Sequence, residues 1–169
     1  MIHGFFQKFI KKSFLIKRTR VKKVYNRVLP VNELFTDRWE KAKFLGFGEK
    51  SSIYDSSIVL GNVKVGKNTW IGPFTLLDGS GGLQIGSNCS ISAGVQIYSH
   101  DSVKWAISGG KEEYEYGPVK IGDNCYIGPN VIISRGVTIG SGTIIGANSF
   151  VNKSFPDNSR IAGNPAANF

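Results

Sequence analysis

The sequence predicts an all-β fold in which the chain winds into a coil, because an apolar residue returns at every sixth position through most of its 169 residues. Fifteen hexads begin with these residues, which are Phe47, Ile53, Val59, Val65, Ile71, Leu77, Ile85, Ile91, Ile97, Ile121, Ile127, Ile133, Ile139, Ile145 and Val151. A short strand followed by a corner every six residues cannot form long hairpins, so successive hexads must stack and bury these residues. If three hexads close one turn, the coil has about five turns.

The residues at three other positions of the six-residue repeat, called slots below, also predict the coil. The second slot is Gly in eight of the fifteen hexads, and small residues fill the fifth slot in twelve. The fourth slot is Asn or Gly in nine. Because Asn and Gly tolerate a positive φ, the fourth slot predicts a corner of the coil.

The repeat resembles that of the hexapeptide-repeat acyltransferases. The segment from Val119 to Ala166 is especially similar to the sugar acetyltransferases of the maltose and galactoside branch, and the resemblance covers residues 44–166. It implies a left-handed parallel β-helix, an exception to the usual right-handed crossover. It also implies a homotrimer with active sites between subunits, and acetyl-CoA as the co-substrate.

Charge and periodicity divide the chain into three segments. Residues 1–43 form a basic, mainly helical segment, residues 44–166 form the coil domain with a loop at 99–118, and residues 167–169 form the C-terminal end. The first segment holds twelve Lys and Arg against three acids, so it carries the whole net charge of +9. Since the coil domain is neutral, we do not expect nucleic-acid binding.

The first segment allows two interpretations. Ile2, Phe5, Phe6, Phe9 and Phe14 recur at helical spacing among many lysines, which predicts a basic amphipathic helix. This helix could dock on the first turn of the coil or on a trimer partner, or residues 1–30 could contact a membrane surface.

No apolar run is long enough to span a bilayer. Lys11 and Lys12 also interrupt any signal-peptide core. We therefore expect a cytoplasmic protein, peripheral at the inner face of the membrane if the helix binds lipid.

The two cysteines, Cys89 and Cys125, occupy the inward small slot and predict reduced core thiols rather than a disulfide framework. No spaced cluster of Cys and His predicts a metal site. The γ-class carbonic anhydrases share the coil but need three zinc histidines per site. With His3 and His100 alone, that class is excluded.

The longest break in the repeat, Ser99 to Pro118, predicts an extruded loop, and long loops in compact domains are commonly functional. His100 begins this loop in a corner slot, facing outward. Histidine is the side chain best suited to accept a proton near neutral pH. The resemblance implies that His100 is the general base that activates the acceptor for direct attack on the thioester, with Asp101 as a helper that orients the imidazole or binds the acceptor.

The resemblance also implies two sets of binding residues. Acetyl-CoA would contact Tyr126, Gly128, Ser134, Gly146, Ala147, Lys153, Arg160 and Asn164. The acceptor would contact Asp78, Tyr98, Trp105, Tyr114 and Tyr116. For Asp78 the sequence leaves a second interpretation open, in which the carboxylate only bonds to the turn at residues 79–82.

The family pattern changes at three places. Pro129 has no N–H to offer the thioester oxygen, which leaves the oxyanion donor open. The chain stops at Phe169, where relatives continue with basic residues. Gly72 and Ser80 stand where the galactoside and maltose enzymes hold their sugar with Asn and Asp, so we expect a different acceptor.

We therefore expect an acetyltransferase that acts on a sugar hydroxyl or amino group during the synthesis of lipopolysaccharide or another surface polysaccharide. One alternative is N-acetylation of a nucleotide-linked amino sugar, with the loop aromatics stacked on the base. An alternative of another class is a β-helix without catalytic activity that serves as a scaffold or binding module.

Overall fold

The computed structural model describes the backbone of residues 2–169 and the side chains of residues 6–169. The chain divides into two compact units, one ending at Asp37 and the other running from Arg38 to Phe169. The first unit is helical and the second contains the coil.

The first unit contains α1 (Ile2–Tyr25) and α2 (Val31–Phe35). Helix α1 ends at Asn26, whose positive φ of 50° breaks the helix and whose side chain accepts a hydrogen bond from Lys22. The Nζ atom of Lys17 lies 5.0 Å from the ring centroid of Phe35, which joins α1 to α2 by a cation–π contact. Within residues 2–169, no helix is both long and apolar enough to cross a membrane.

The second unit begins with α3 (Arg38–Phe44), which covers the first turn of the coil. Its Ala42 is buried in the coil's core, and the Lys41 ammonium donates to the carbonyl oxygens of Tyr54, Asp55 and Ser57. Three carbonyls at the open end of the coil are thereby satisfied. The coil unit thus includes this helix, which lies just before the expected domain start at residue 44.

Sixteen short strands and one further helix follow. The strands are β1 (Ser52–Ile53), β2 (Ile58–Val65), β3 (Trp70–Ile71), β4 (Leu76–Ile85), β5 (Ser90–Ile91), β6 (Gln96–Ile97), β7 (His100–Asp101), β8 (Glu115–Tyr116), β9 (Val119–Ile121), β10 (Tyr126–Ile127), β11 (Ile132–Ile133), β12 (Thr138–Ile139), β13 (Ile144–Ile145), β14 (Phe150–Val151), β15 (Arg160–Gly163) and β16 (Ala166–Asn168). Helix α4 (Val103–Ile107) lies between β7 and β8.

Parallel pairing builds three sides. The first side stacks β1, β3, β5, β10, β13 and β15 in that order. The second side stacks the first halves of β2 and β4 with β6, β11 and β14, and the third stacks their second halves with β9 and β12. Hexads one turn apart align, as Ile53 does with Ile71. The predicted fold class, a left-handed parallel β-helix with an extruded loop, is confirmed.

The coil has about six turns where the sequence predicts about five. The chain continues to coil after Val151, because Phe155 bridges to Ile139 on the third side and β15 pairs with β13 on the first. Phe155 follows Val151 by four residues instead of six, so the six-residue frame does not find it.

The core is a column of aliphatic side chains from the first slot of the hexads. Ile71, Leu77, Ile91 and Ile127 have no exposed surface. Each such side chain contributes roughly 1.5–3 kcal/mol through burial. The corners carry Asn with φ between 54° and 58°, as the fourth slot predicts, at Asn68, Asn88, Asn124, Asn130 and Asn148.

One irregularity of the coil lies beside the start of the extruded loop, next to the candidate active site. Strands β2 and β4 pass from the second side to the third as continuous strands, and their register shifts between Gly61 and Val63. The shift accommodates two extra residues in β4, which bulge between Gly79 and Leu83. This bulge lies against the start of the extruded loop, where the Gly81 N–H donates to the Ser99 hydroxyl over 2.8 Å.

Candidate active site

Ser99 anchors both ends of the extruded loop to the coil. It is fully buried, and its N–H donates to Oδ2 of Asp78 over 2.9 Å. Its carbonyl oxygen accepts a hydrogen bond from the N–H of Gly117 at the end of the loop. Because backbone and hydroxyl are both bonded, the residue that follows, His100, leaves the coil in a defined direction.

His100 is bonded to a buried carboxylate. Its Nδ1 atom lies 2.6 Å from Oδ2 of Asp78, whose side chain has no exposed surface, whereas 29% of the His100 side chain is exposed. A carboxylate can only accept, so Nδ1 carries the proton and Nε2 is left with a free lone pair. We assign this tautomer from the hydrogen-bond network. An imidazole held in this way is prepared to accept a proton at Nε2.

Asp78 is held in the charged state. Burial opposes its ionisation, but hydrogen bonds from Ser80, His100 and Ser99 outweigh burial and lower the pKa of this carboxyl far below its usual range. The anion therefore persists beneath the imidazole at any pH near neutrality, where it can stabilise a proton on His100.

These contacts correct the role that the sequence analysis gives to Asp78. A side chain without exposed surface cannot reach an acceptor sugar, so we assign Asp78 to His100 instead. Its Oδ1 atom also accepts from the N–H of Ser80, the turn contact that the sequence leaves open as a second interpretation.

Asp101 has different partners. Its carboxylate accepts hydrogen bonds from Nε of Arg135 and from the N–H of Val103. The bond from Arg135 and the one from Val103 lower its pKa. Asp101 is bonded to Arg135 of the coil rather than to the imidazole, and Asp78 is the carboxylate that contacts His100.

Arg135 connects the coil to both strands of the loop hairpin. Strands β7 and β8 pair antiparallel, with His100 opposite Tyr116 and Asp101 opposite Glu115. Arg135 bonds to Asp101, and its Nη2 donates to Glu115 over 2.9 Å. Arg135 is not among the site residues predicted from the sequence, although it is the one basic residue between Lys120 and Lys153 and the loop that it contacts is acidic.

The loop aromatics surround His100. The ring centroids of Tyr114 and Tyr116 lie 6.1 and 6.0 Å from that of the imidazole, with planes inclined by 11° and 29°. Trp105 of α4 meets Tyr114 edge to face at 5.7 Å. The structure therefore groups Trp105, Tyr114 and Tyr116 with the histidine, and their predicted contact with the acceptor stays a prediction.

A cleft of about 390 Å³ opens beside His100, within the size range of small-molecule sites. Its lining combines the second side of the coil with the start of the loop, and consists of Tyr98, His100, Asp101, Ser102, Val103, Ile132, Ser134, Arg135 and Phe150. The Tyr98 hydroxyl donates to Oε1 of Gln96. Polar and apolar side chains are thus both present in the cleft beside His100.

Of the residues predicted to bind CoA, Ser134 alone lines this cleft. Tyr126 lies on the first side of the coil, and Gly128, Gly146 and Ala147 lie at the corner that follows this side. A Cβ atom on Gly128 would come within 2.7 Å of the Ala147 nitrogen, so the close stacking of turns already requires glycine there.

The last predicted CoA residues lie near the end of the coil. Lys153 follows β14 and its Nζ atom lies 5.5 Å from the ring centroid of Phe155. Arg160 is exposed at the start of β15, and Asn164 follows this strand. The structure does not bring these residues to His100 within one chain, and their role stays a prediction.

Among the side chains of residues 6–169, no group of three or more His, Cys, Asp or Glu residues could hold a metal ion. Cys89 and Cys125 are free and buried. Their Sγ atoms each lie 3.2 Å from a backbone carbonyl oxygen, that of Gly122 for Cys89 and that of Gly140 for Cys125.

The chain matches two known repeat families. Residues 118–153 match the bacterial transferase hexapeptide family of six repeats, and residues 62–99 match the hexapeptide repeat of succinyl-transferase. Both matched ranges lie in the coil, on either side of the extruded loop.

Solved structures with the same fold include three transferases. A variant of AntD, an N-acyltransferase from Bacillus cereus in complex with dTDP and coenzyme A, is 27% identical over 73% of this chain and 70% of its own, with a TM-score of 0.66. A maltose O-acetyltransferase from Clostridium difficile is 29% identical over 95% of this chain and 87% of its own, with a TM-score of 0.61. A galactoside acetyltransferase in complex with coenzyme A shares the fold. It is 24% identical over 95% of this chain and 80% of its own, with a TM-score of 0.71.

Proposed function

We propose that the chain, which matches two hexapeptide-repeat families and is similar to acyltransferases of the same fold, transfers an acetyl group from acetyl-CoA to a hydroxyl or amino group of a sugar. The observation that carries this proposal is the Nδ1 to Oδ2 hydrogen bond of 2.6 Å, which leaves Nε2 of His100 free at the cleft. The N-acyltransferase and the maltose O-acetyltransferase to which the chain is similar support this reaction class.

In the proposed reaction, Nε2 of His100 removes the proton of the acceptor as its oxygen or nitrogen attacks the thioester carbonyl carbon. A new C–O or C–N bond forms, the C–S bond breaks, and the proton passes from the imidazolium to the departing sulfur. The Asp78 carboxylate stabilises the imidazolium throughout. No residue of the chain needs to be acylated.

Trp105, Tyr114 and Tyr116 serve the acceptor in this proposal. They lie within one cluster with His100, and aromatic faces stack on the apolar faces of sugar rings and on nucleobases. We place the acceptor among the sugars of lipopolysaccharide or another surface polysaccharide, so an acceptor panel should include fragments of such glycans.

We further propose a homotrimer. Ser134 lies at the cleft, whereas Tyr126, Gly128 and Gly146 lie on another side and corner of the coil. If all of them bind the same CoA, a neighbouring chain must bring its own set to the His100 cleft. Sedimentation analysis should give a mass of three chains, and a stable monomer with full activity would contradict this arrangement.

The test of function is CoA release from acetyl-CoA with a panel of free sugars, amino sugars, nucleotide sugars and glycan fragments. The matched variant is His100→Asn, since an asparagine amide can still donate to the Asp78 carboxylate but cannot accept the proton of the acceptor. We expect kcat to fall by roughly 10²–10⁴-fold with the trimer intact. Near-normal turnover by this variant would rule out the general base.

A second candidate acceptor is a nucleotide-linked amino sugar, which the similarity to AntD favours, because that enzyme is bound to dTDP. Activity confined to nucleotide-linked amino sugars in the panel would select this candidate. A scaffold without catalytic activity would instead show no binding of acetyl-CoA by calorimetry, and His100→Asn would have no effect.

A further inference from the structure

Helix α1 combines strong positive charge with exposed apolar surface. Its 24 residues contain eight Lys and Arg and no Asp or Glu. Phe6, Phe9 and Ile16 have 61%, 60% and 59% of their surface exposed. Neither feature serves the acyl transfer proposed above.

The two features are largely segregated between Phe6 and Ile16. At 3.6 residues per turn, Lys8, Lys11 and Lys12 fall within an arc of about 100°, and four exposed apolar residues fall in an adjoining arc of about 120°, while exposed Leu15 lies between the lysines. The four apolar residues are Phe6, Phe9, Ile10 and Ile16. A helix with one basic face and one aromatic and aliphatic face has the form that lies in a lipid interface.

The second half of the helix packs differently. The guanidinium of Arg18 lies 4.3 Å from the ring centroid of half-buried Phe14, and the ammonium of Lys17 covers Phe35 of α2. These contacts cover the rings of Phe14 and Phe35, whereas Val24 and Tyr25 at the C-terminal end of the helix stay exposed.

We infer that α1 binds the surface of a membrane containing anionic lipids, with Phe6, Phe9, Ile10 and Ile16 inserted at the level of the headgroups. Charge complementarity favours an anionic membrane over other partners of the helix. Eight cations attract anionic headgroups, whereas they oppose the approach of a second copy of the same helix. A nucleic acid would satisfy the cations but would leave the apolar face in water. The helix lies on the membrane and does not span it.

The test uses the full chain in a flotation assay. One set of vesicles contains phosphatidylcholine alone, and the other contains the same lipid mixed with anionic phosphatidylglycerol. We expect flotation with the anionic vesicles only, weakened by added salt because screening shortens the reach of the charges. Flotation that is equal with both vesicle types, or absent from both, would overturn the proposal.

Two matched double variants distinguish an effect of the charge on α1 from an effect of the total charge of the protein. Lys8→Glu with Lys12→Glu should reduce partitioning of the protein onto anionic vesicles by roughly 30-fold or more. Each basic residue near the surface contributes about 1 kcal/mol to binding, and about 1.4 kcal/mol corresponds to a tenfold change. Lys67→Glu with Lys120→Glu, at exposed positions of the coil, changes the net charge equally and should leave partitioning unchanged. Equal losses from both pairs would show that only total charge matters, against the proposal.

A third variant, Phe9→Ser with Ile10→Ser, tests insertion without a change of charge, and we expect it to weaken partitioning. Circular dichroism and CoA release check that each variant folds. If the serine variant changes the oligomeric mass while partitioning is unchanged, the apolar face binds another copy and the proposal fails. Binding of α1 to duplex oligonucleotides without vesicle flotation would equally refute it.

Discussion

His100 and Asp78 lie 22 residues apart in the chain, and their side chains are joined by a hydrogen bond of 2.6 Å from Nδ1 to Oδ2. The imidazole is partly exposed at a cleft and the carboxylate is fully buried beneath it. The pair has the geometry of a general base and the acid that orients it.

We expect Asp78→Asn to lower kcat by roughly 10²–10⁴-fold with little change in the KM for acetyl-CoA. An asparagine cannot accept from Ser80, Ser99 and His100 together, so the histidine loses its fixed tautomer. Steady-state kinetics measure this effect. Ser80→Ala is the milder comparison, since it removes one hydroxyl partner of Asp78 but keeps the carboxylate and the bond from the Ser80 N–H, and it should cost much less activity. A rise in the acceptor KM at unchanged kcat would instead assign Asp78 to the acceptor.

The same residue predicts how stability depends on pH. The folded state lowers the pKa of Asp78, so its contribution is fully present above its unfolded pKa of about 3.9 and is lost as the pH falls through the folded pKa. The free energy of unfolding of the wild type should exceed that of Asp78→Asn by on the order of 2 kcal/mol at neutral pH. Urea denaturation should show this difference shrinking below about pH 4. A difference that stays constant down to pH 3 would contradict the lowered pKa.

Arg135→Ala should loosen the loop hairpin, because Arg135 alone among the described side chains is shown bonded to both Asp101 and Glu115. The side chain is one-third exposed, so we expect a loss of only about 1 kcal/mol in stability. We expect kcat/KM for the acceptor to fall by roughly ten-fold, and proteolysis within residues 102–114 to become faster.

Lys104→Ala is the matched control for Arg135→Ala. Lys104 pairs with Glu115 over 3.0 Å and is about half exposed, so its loss should have a much smaller effect on proteolysis. Arg135→Lys should recover little of the stability and activity lost in Arg135→Ala, since an ammonium cannot bond to Asp101 and Glu115 as the planar guanidinium does. Equal proteolysis of the alanine variants would show that Arg135 does not hold the hairpin.

Trp105→Ala should raise the KM for the acceptor several-fold and leave the KM for acetyl-CoA unchanged, because Trp105 contacts Tyr114 beside His100. The effect should be largest for a nucleotide-linked acceptor, whose base offers a further stacking surface. Ile107→Ala, on the same short helix at a side chain with 79% exposure, is the control and should be silent. An equal effect of both variants would mean that the helix, rather than the indole, matters.

The coil, its corners and the position of the loop can be predicted from the sequence, because these features follow from local periodicity. An apolar residue every six positions must be buried, and Asn at a corner can adopt a positive φ. For the same reason the sequence identified His100, which interrupts the pattern, and the aromatic cluster that follows it.

The acidic residue that contacts His100, in contrast, can be identified only from the folded chain. Asp101 is next to His100 in the sequence, and Asp78 is near it through the register of neighbouring turns. Periodicity does not show where either side chain points. A two-residue bulge in β4 turns Asp78 under the imidazole, while Arg135 draws Asp101 to the coil. Such choices depend on contacts between turns, where burial and competing charged partners decide among groups that the sequence alone leaves equivalent.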